Sequence, residues 1–366
     1  MPKTTRAVRD RLTPALADPG VAARWDARDW DRALRQARKA GLLARLASRL
    51  AESGLLEQAP PRARAALDSA RILADKHRDD VARELRHIAR ALDGRAAPVI
   101  LLKGASYAAA FLPPATGRLY GDIDILVPKR RIAAAEAALL AAGWEGVKQD
   151  DYDQRYYRRW MHEIPPLRHQ ARGTTIDVHH NIVPPTGAHA LEARRMTDWA
   201  VAAGGEGGFA VLAPADMVLH AAVHLFDDGE FANALRDLDD INLLLRHFGA
   251  LPEFWPGLVR RAARLGLGRP LYYAARYAHR LLGTPVPVRV LEAPALAPPQ
   301  RIVRAAMDFV LVRALRPHHP SAALPFTGLA LFFLYLRAHY LRMPLHLLLP
   351  HLLRKAVVKR LKPAAA

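Results

Sequence analysis

Four consecutive apolar residues, Val99 to Leu102, lie between Pro98 and a glycine turn at Gly104. A run so short and so uniformly apolar is buried on both faces, which is the habit of a strand inside a sheet. A second run, Ile123 to Val127, follows a loop over Pro113 to Tyr120 that holds two prolines, Thr116 and Gly117. Between the two runs, Ala105 to Phe111 reads as a short helix. The alanine-rich stretch Lys129 to Ala142 reads as a longer helix capped by Gly143. Further strand regions over Tyr156 to His162 and Thr174 to His180 complete an α/β arrangement around a small mixed sheet.

Both flanks of this core read as helices. Val8 to Leu92 carries three or four amphipathic helices, with Leu42, Leu43, Leu46 and Leu50 at three-to-four spacing and a break at Pro60 and Pro61. Beyond Pro214, helices are expected over Ala215 to Phe226, Phe231 to His247, Pro252 to Leu265, Arg269 to Leu282 and Arg301 to Leu315, with a final pair after them. The expectation is an α+β chain: a helical region over 1–95, an α/β core over 96–212 and a helical region over 213–366. A length of 366 residues gives ample chain to bury such a core. The apolar stretch Leu324 to Leu336 is shorter than the roughly 20 residues that span a bilayer. It also contains Pro325 and Gly328, so a buried helix is expected and no integral span, with an interfacial membrane helix as the alternative because basic residues follow it.

Composition narrows the chemistry. There is no cysteine, which removes disulfides, thiolate zinc sites, iron–sulfur clusters and cysteine nucleophiles together. Reactions must then run on carboxylates, histidines, hydroxyls or amines. The 54 basic residues against 35 acidic ones give a net charge of +19, a field that attracts polyanions. Only nine of the basic residues are lysine, so a coding bias toward arginine and alanine accounts for much of the excess. Weak contact with nucleic acid or an acidic membrane is the partner class such a charge would favour. For the membrane, the basic residues Arg354, Lys355, Lys359, Arg360 and Lys362 near the end are the candidates. The charged start of the chain lacks the apolar centre of a secretory signal, and a cytoplasmic location is expected.

The chemistry concentrates in Leu102-Lys103-Gly104-Ala105-Ser106 and in Gly121-Asp122-Ile123-Asp124-Ile125-Leu126-Val127. Alternation along a strand places Asp122 and Asp124 on one face and the isoleucines on the other. Two adjacent carboxylates each disfavour the other's ionisation, and a divalent cation relieves that repulsion. Asp177, in Ile176-Asp177-Val178-His179, offers a third carboxylate on a strand, sharing its face with Thr175 and His179. Three carboxylates on adjacent strands suit two-metal phosphoryl or nucleotidyl transfer. The Gly104 turn, at a strand-to-helix junction, would bring backbone amides to phosphate oxygens. Lys103 and Arg118 are candidates for neutralising phosphate charge by position. A separate set, His220 and His224 four apart on one helix with Asp237 nearby, has the spacing of a helical His/Asp metal phosphohydrolase.

A glycine turn after a strand, an Asp-x-Asp strand and a later strand carboxylate together resemble the DNA polymerase beta-like nucleotidyltransferase superfamily. The order Leu101-Leu102-Lys103-Gly104-Ala105, Arg118, Asp122-Ile123-Asp124-Ile125-Leu126-Val127-Pro128 and Ile176-Asp177-Val178-His179 is similar to one largely uncharacterised bacterial nucleotidyltransferase family within it. The segment Pro214 to about Leu245 resembles the helical region that follows in that family.

The resemblance implies that Asp122 and Asp124 bind metal and that Asp177 is a further ligand or the general base. It implies Mg²⁺, or Mn²⁺ in its place, in a two-metal site. Nucleotide binding falls to Lys103, Gly104, Ala105, Ser106 and Arg118. Where the superfamily usually has Gly-Gly or Gly-Ser, this chain has Gly104-Ala105, with Ser106 one place later. The implied reaction moves a nucleoside monophosphate from a nucleoside triphosphate, ATP among them, to an acceptor hydroxyl and releases pyrophosphate. The acceptor is open among a small molecule, a protein and an RNA end. A noncatalytic nucleotide-binding or regulatory module and the helical phosphohydrolase are the alternatives.

Overall fold

The computed structural model describes residues 10–147, 151–189, 191–204 and 207–342. Four helices come first: α1 (Leu12–Ala17), α2 (Ala27–Lys39), α3 (Leu43–Glu52) and α4 (Pro61–Leu92). Local chemistry sets their ends. The Asp26 carboxylate accepts from the Asp29 amide at 2.7 Å and caps α2. Pro61 opens α4, where its missing N–H costs nothing. Along α2, Trp30, Ala33, Leu34 and Ala37 form the buried face.

The middle of the chain alternates. In order it runs β1 (Ile100–Leu101), α5 (Lys103–Ala109), β2 (Asp122–Leu126), α6 (Ile132–Ala141), β3 (Trp144–Gly146), α7 (Asp151–Trp160), β4 (Leu167–His169), β5 (Thr175–His179), α8 (Arg194–Thr197), β6 (Val201–Ala202) and β7 (Ala210–Val211). The strands form one seven-stranded sheet in the order β3-β4-β5-β2-β1-β7-β6. The pairs β2/β5 and β1/β7 are parallel, and the other pairs are antiparallel, so the sheet is mixed.

The rest is helical: α9 (Pro214–Asp227), α10 (Ala234–Phe248), α11 (Phe254–Leu265), α12 (Gly268–Leu282), α13 (Val288–Leu291), α14 (Arg301–Ala314) and α15 (Thr327–Arg342). The fold is therefore α+β, a mixed sheet flanked by helices on both sides in sequence. A continuous apolar core runs from Leu12 through the sheet to Leu334. Among the described residues, no helix is long and apolar enough to cross a membrane.

Two expectations need correction. Tyr156 to His162 is not a strand, because α7 covers Asp151–Trp160. Arg158 and Arg159 in its last turn complement the helix dipole. Both terminal nitrogens of Arg158 also reach the Glu136 carboxylate of α6, at 2.9 and 2.6 Å. The stretch Leu324 to Leu336 is helical only from Thr327, and it is not a buried helix. Ala330, Leu334 and Ala338 are buried, but Phe332 and Phe333 are 54% and 53% exposed. The buried stripe of α15 lies against Gly229, which has φ +73° and where a Cβ would strike Ala338. The basic residues Arg354 to Lys362 lie outside the described residues.

Candidate active site

The parallel pairing of β2 with β5 sets the site. Its register places Asp124 beside Asp177, Asp122 beside Thr175 and Leu126 beside His179. Because side chains alternate, Asp122, Asp124, Asp177 and His179 share one face of the sheet. The opposite face carries Ile123, Ile125, Ile176 and Val178, all but fully buried. Each contributes about 1.5–3 kcal/mol by leaving water, so a slip of one residue that exposed them would be costly. The apolar residues thus hold the carboxylates in place.

The three carboxylates are not electrostatically alike. Asp124 is 3% exposed and receives two donors on one oxygen, Oδ1: Lys103 Nζ at 2.8 Å and His179 Nε2 at 3.0 Å. Burial alone would raise its pKa, but the Lys103 ammonium and the His179 ring outweigh burial and hold it well below the usual carboxylate range. Asp177 has no such partner. Its Oδ1 is buried and accepts no hydrogen bond. Burial, then the charges of Asp124 and Glu163, push its pKa up to about 7. Asp122, at the solvent-exposed start of β2, shifts upward as well, through partial desolvation and then the Asp124 charge. Two carboxylates are therefore short of positive charge. A divalent cation with oxygen ligands fits this donor set.

The strand-to-helix turn is built around Lys103, whose φ of +44° is left-handed. That conformation turns its side chain back toward β2. The Leu102 amide donates to the Asp124 carbonyl at 3.0 Å and fastens the turn to the strand. Position alone leaves the amides of Lys103, Gly104 and Ala105 without an intrahelical acceptor, since the first residues of any helix lack one. Gly104 has a packing reason to be glycine: a Cβ there would lie 2.9 Å from Arg118 Nε and 3.2 Å from Tyr120 Cδ1.

The other residues expected to bind nucleotide sit behind this turn. Ala105 and Ser106 are buried, and Ser106 Oγ donates to the Lys103 carbonyl at 2.7 Å. Arg118 is 8% exposed and pairs with Asp240 of α10. Asp240 also accepts from Arg45 at 3.2 Å, and Asp239 accepts from Arg45 at 2.9 Å and Arg49 at 2.7 Å. This buried ion-pair network joins α3, the Arg118 loop and α10 beneath Gly104. Arg118 thus underpins the turn from below, while Lys103 alone of the two basic residues reaches the carboxylates.

Helix α9 closes one side. His220 is buried, and burial followed by the Lys103 charge lowers its pKa to about 3, so its ring is neutral. His224 Nδ1 meets Asp228 Oδ2 at 2.7 Å, and Asp237 pairs with Arg236 at 3.0 Å. Among the described residues, His220, His224 and Asp237 do not gather into a group that could hold a metal.

His162 and Glu163 follow α7 and lie against the end of β5, a placement that no period in the sequence marks. Glu163 bridges to His179 in antiparallel fashion, and its Oε2 lies 3.4 Å from His179 Nδ1. The Met161-His162-Glu163 sequence sets two residue types that can ligate a metal next to one another.

A mixed sheet with acidic residues at adjacent parallel strands, faced by a lysine-bearing glycine turn, belongs to the nucleotidyltransferase class. Comparison with protein families agrees: the model described as an uncharacterised nucleotidyltransferase matches residues 26–283, and the chain belongs to this family. The match runs from α2 through the sheet to the end of α12. No curated protein and no solved structure matches the chain.

Proposed function

We propose that this protein transfers a nucleoside monophosphate from a nucleoside triphosphate to an acceptor hydroxyl, with Asp122, Asp124 and Asp177 as its catalytic carboxylates. The observation that carries this reading is the charge imbalance across β2 and β5. Asp177 Oδ1 is buried and unpaired beside Asp122 and Asp124. Bound Mg²⁺, or Mn²⁺ in its place, would neutralise the triphosphate and draw acidity into the attacking hydroxyl.

This chain's own residues divide the remaining work. Asp122 and Asp124 hold the metal edge of the site, with Asp124 fixed in orientation by Lys103 and His179. The amides of Gly104 and Ala105, which have no intrahelical acceptor, would hold phosphate oxygens, and Lys103 would add positive charge beside them. Asp177, beside Asp124 across the parallel pair, would take the proton of the acceptor hydroxyl. The acceptor oxygen then bonds to the α-phosphorus, the bond from that phosphorus to its bridging oxygen breaks, and pyrophosphate leaves. The described helices before and after the sheet, within 10–95 and 213–342, would form the walls that select acceptor and base.

The test is release of pyrophosphate from each nucleoside triphosphate with Mg²⁺ and candidate acceptors, for the native chain and for Asp122→Ala. Release by the native chain that the variant lacks supports the reading. Equal release by both contradicts it.

A further inference from the structure

Beyond nucleotidyl transfer, we infer a second metal site at the end of β5, in which His162, Glu163 and His179 bind a first-row transition ion of the zinc class. The three side chains each offer a ligand atom, and these atoms lie within 4.8 Å of one another. Their donor set differs from that of the carboxylate site. Two imidazoles and one carboxylate select zinc-like ions, whereas Mg²⁺ takes oxygen ligands.

Two buried orphans point the same way. His162 Nδ1 and His179 Nδ1 both lack a hydrogen-bond partner, although His162 is 9% and His179 3% exposed. A buried imidazole nitrogen with nothing to bond is costly, and a metal ion satisfies it. The rings lie 5.2 Å apart between centroids and are tilted by 35°. Glu163 Oε2 approaches His179 Nδ1 to 3.4 Å, too far for a good hydrogen bond but near the spacing of two ligands on one ion.

The backbone builds the site in advance. The His180 amide donates to the His162 carbonyl at 2.8 Å, and the Asn181 amide to the same carbonyl at 3.2 Å. The Ile164 amide donates to the Val178 carbonyl at 3.0 Å. These bonds hold residues 162 to 164 against the end of β5, so binding requires only side-chain adjustment.

His179 links the two sites. Its Nε2 meets Asp124 Oδ1 at 3.0 Å, leaving Nδ1 to face Glu163. A carboxylate that grips the far nitrogen of a metal-bound histidine fixes its tautomer and direction. Asp124 would play that part for the zinc-class ion. In return the ion would hold His179, and through it Asp124, in place. Three protein ligands leave a fourth position for water or a substrate oxygen.

The experiment uses the full-length chain, stripped of metal and titrated with Zn²⁺ against a chromophoric chelator, with bound metal also counted by elemental analysis. We expect one tightly bound zinc in the native chain. His162→Ala and Glu163→Gln should each weaken it by about 100-fold or more. Asp122→Ala, which alters only the carboxylate site, should keep the stoichiometry of one. Co²⁺ in place of Zn²⁺ should give visible bands of a nitrogen-bearing, low-coordinate site, and His162→Ala should abolish them. The titration is independent of transfer activity, so failure of either proposal leaves the other standing. No stoichiometric zinc in the native chain would overturn the inference. So would zinc binding unchanged in both His162→Ala and Glu163→Gln, with native-like circular dichroism, or zinc lost in Asp122→Ala.

Discussion

Asp124 and Asp177 are direct neighbours across the parallel pairing of β2 and β5, yet only Asp124 has a counter-charge, from Lys103 Nζ at 2.8 Å. The site is half neutralised by the protein itself. What remains uncompensated is the part that a cation and a proton acceptor would use, and several outcomes follow from that division.

Asp177 should make stability fall as pH rises. Its folded pKa is raised to about 7 from the ordinary 3.8, so between those values the folded chain binds more protons than the unfolded one. The stabilising contribution is complete below about pH 3.8 and is lost as pH approaches 7. Asp177→Asn removes the penalty, so the variant should be more stable than the native chain at pH 8 in metal-free buffer and inactive in transfer. Urea midpoints at pH 5 and pH 8 check this. A native chain that gains stability relative to the variant on going to pH 8 would contradict it.

Lys103 combines a chemical and a backbone role that substitution can separate. Lys103→Met removes the ammonium from Asp124, and transfer should drop by about 100-fold, the scale for losing one preorganised electrostatic group. Lys103→Gly should lose the same activity but retain about 1 kcal/mol more stability than Lys103→Met, because both leave the buried Asp124 carboxylate without its counter-charge and only glycine adopts φ +44° without strain. Steady-state kinetics and thermal unfolding of the pair decide between these contributions.

The network under Gly104 should be costly to break. Asp239 is fully buried and accepts from both Arg45 and Arg49. Asp239→Ala would leave Arg45, itself 2% exposed, short of a partner, at a cost of about 3–5 kcal/mol. The denaturant midpoint should fall accordingly. A change below about 1 kcal/mol would mean that water or another group replaces the lost carboxylate.

His220 should matter less than the carboxylates. It is buried, neutral and outside any three-residue metal group among the described residues. His220→Ala should reduce stability and leave a measurable fraction of transfer activity. Total loss of a metal-dependent hydrolysis in this variant, with hydrolysis intact in Asp122→Ala, would instead favour a phosphohydrolase.

The parts legible in the sequence were those with a strong period or a strong punctuation mark. β2 shows itself through Asp-Ile-Asp-Ile alternation, and α4 through Pro61 and a long amphipathic run. β6 and β7 are two residues long and carry no period at all, so only pairing with neighbours defines them. The aromatic and arginine residues from Tyr156 to Trp160 fit two periods, and Glu136, more than twenty residues earlier, helps decide for a helix. At the site, the carboxylates and Lys103 could be named from alternation and a turn. That Arg118 would face Asp240 could not, because 122 residues separate them and each is an ordinary charged residue locally. His162 was hidden for the same reason: its partner His179 lies on another element.

The central claim is that Asp122 and Asp124 form a metal-dependent nucleotide site, and calorimetric titration tests it most directly. Nonhydrolysable analogues of each nucleoside triphosphate would be titrated, with and without Mg²⁺, into the native chain and into the Asp122→Ala/Asp124→Ala double variant. The account predicts binding that requires Mg²⁺ and disappears in the double variant. Nucleotide binding that persists unchanged in that variant, or no binding to the native chain, would contradict it.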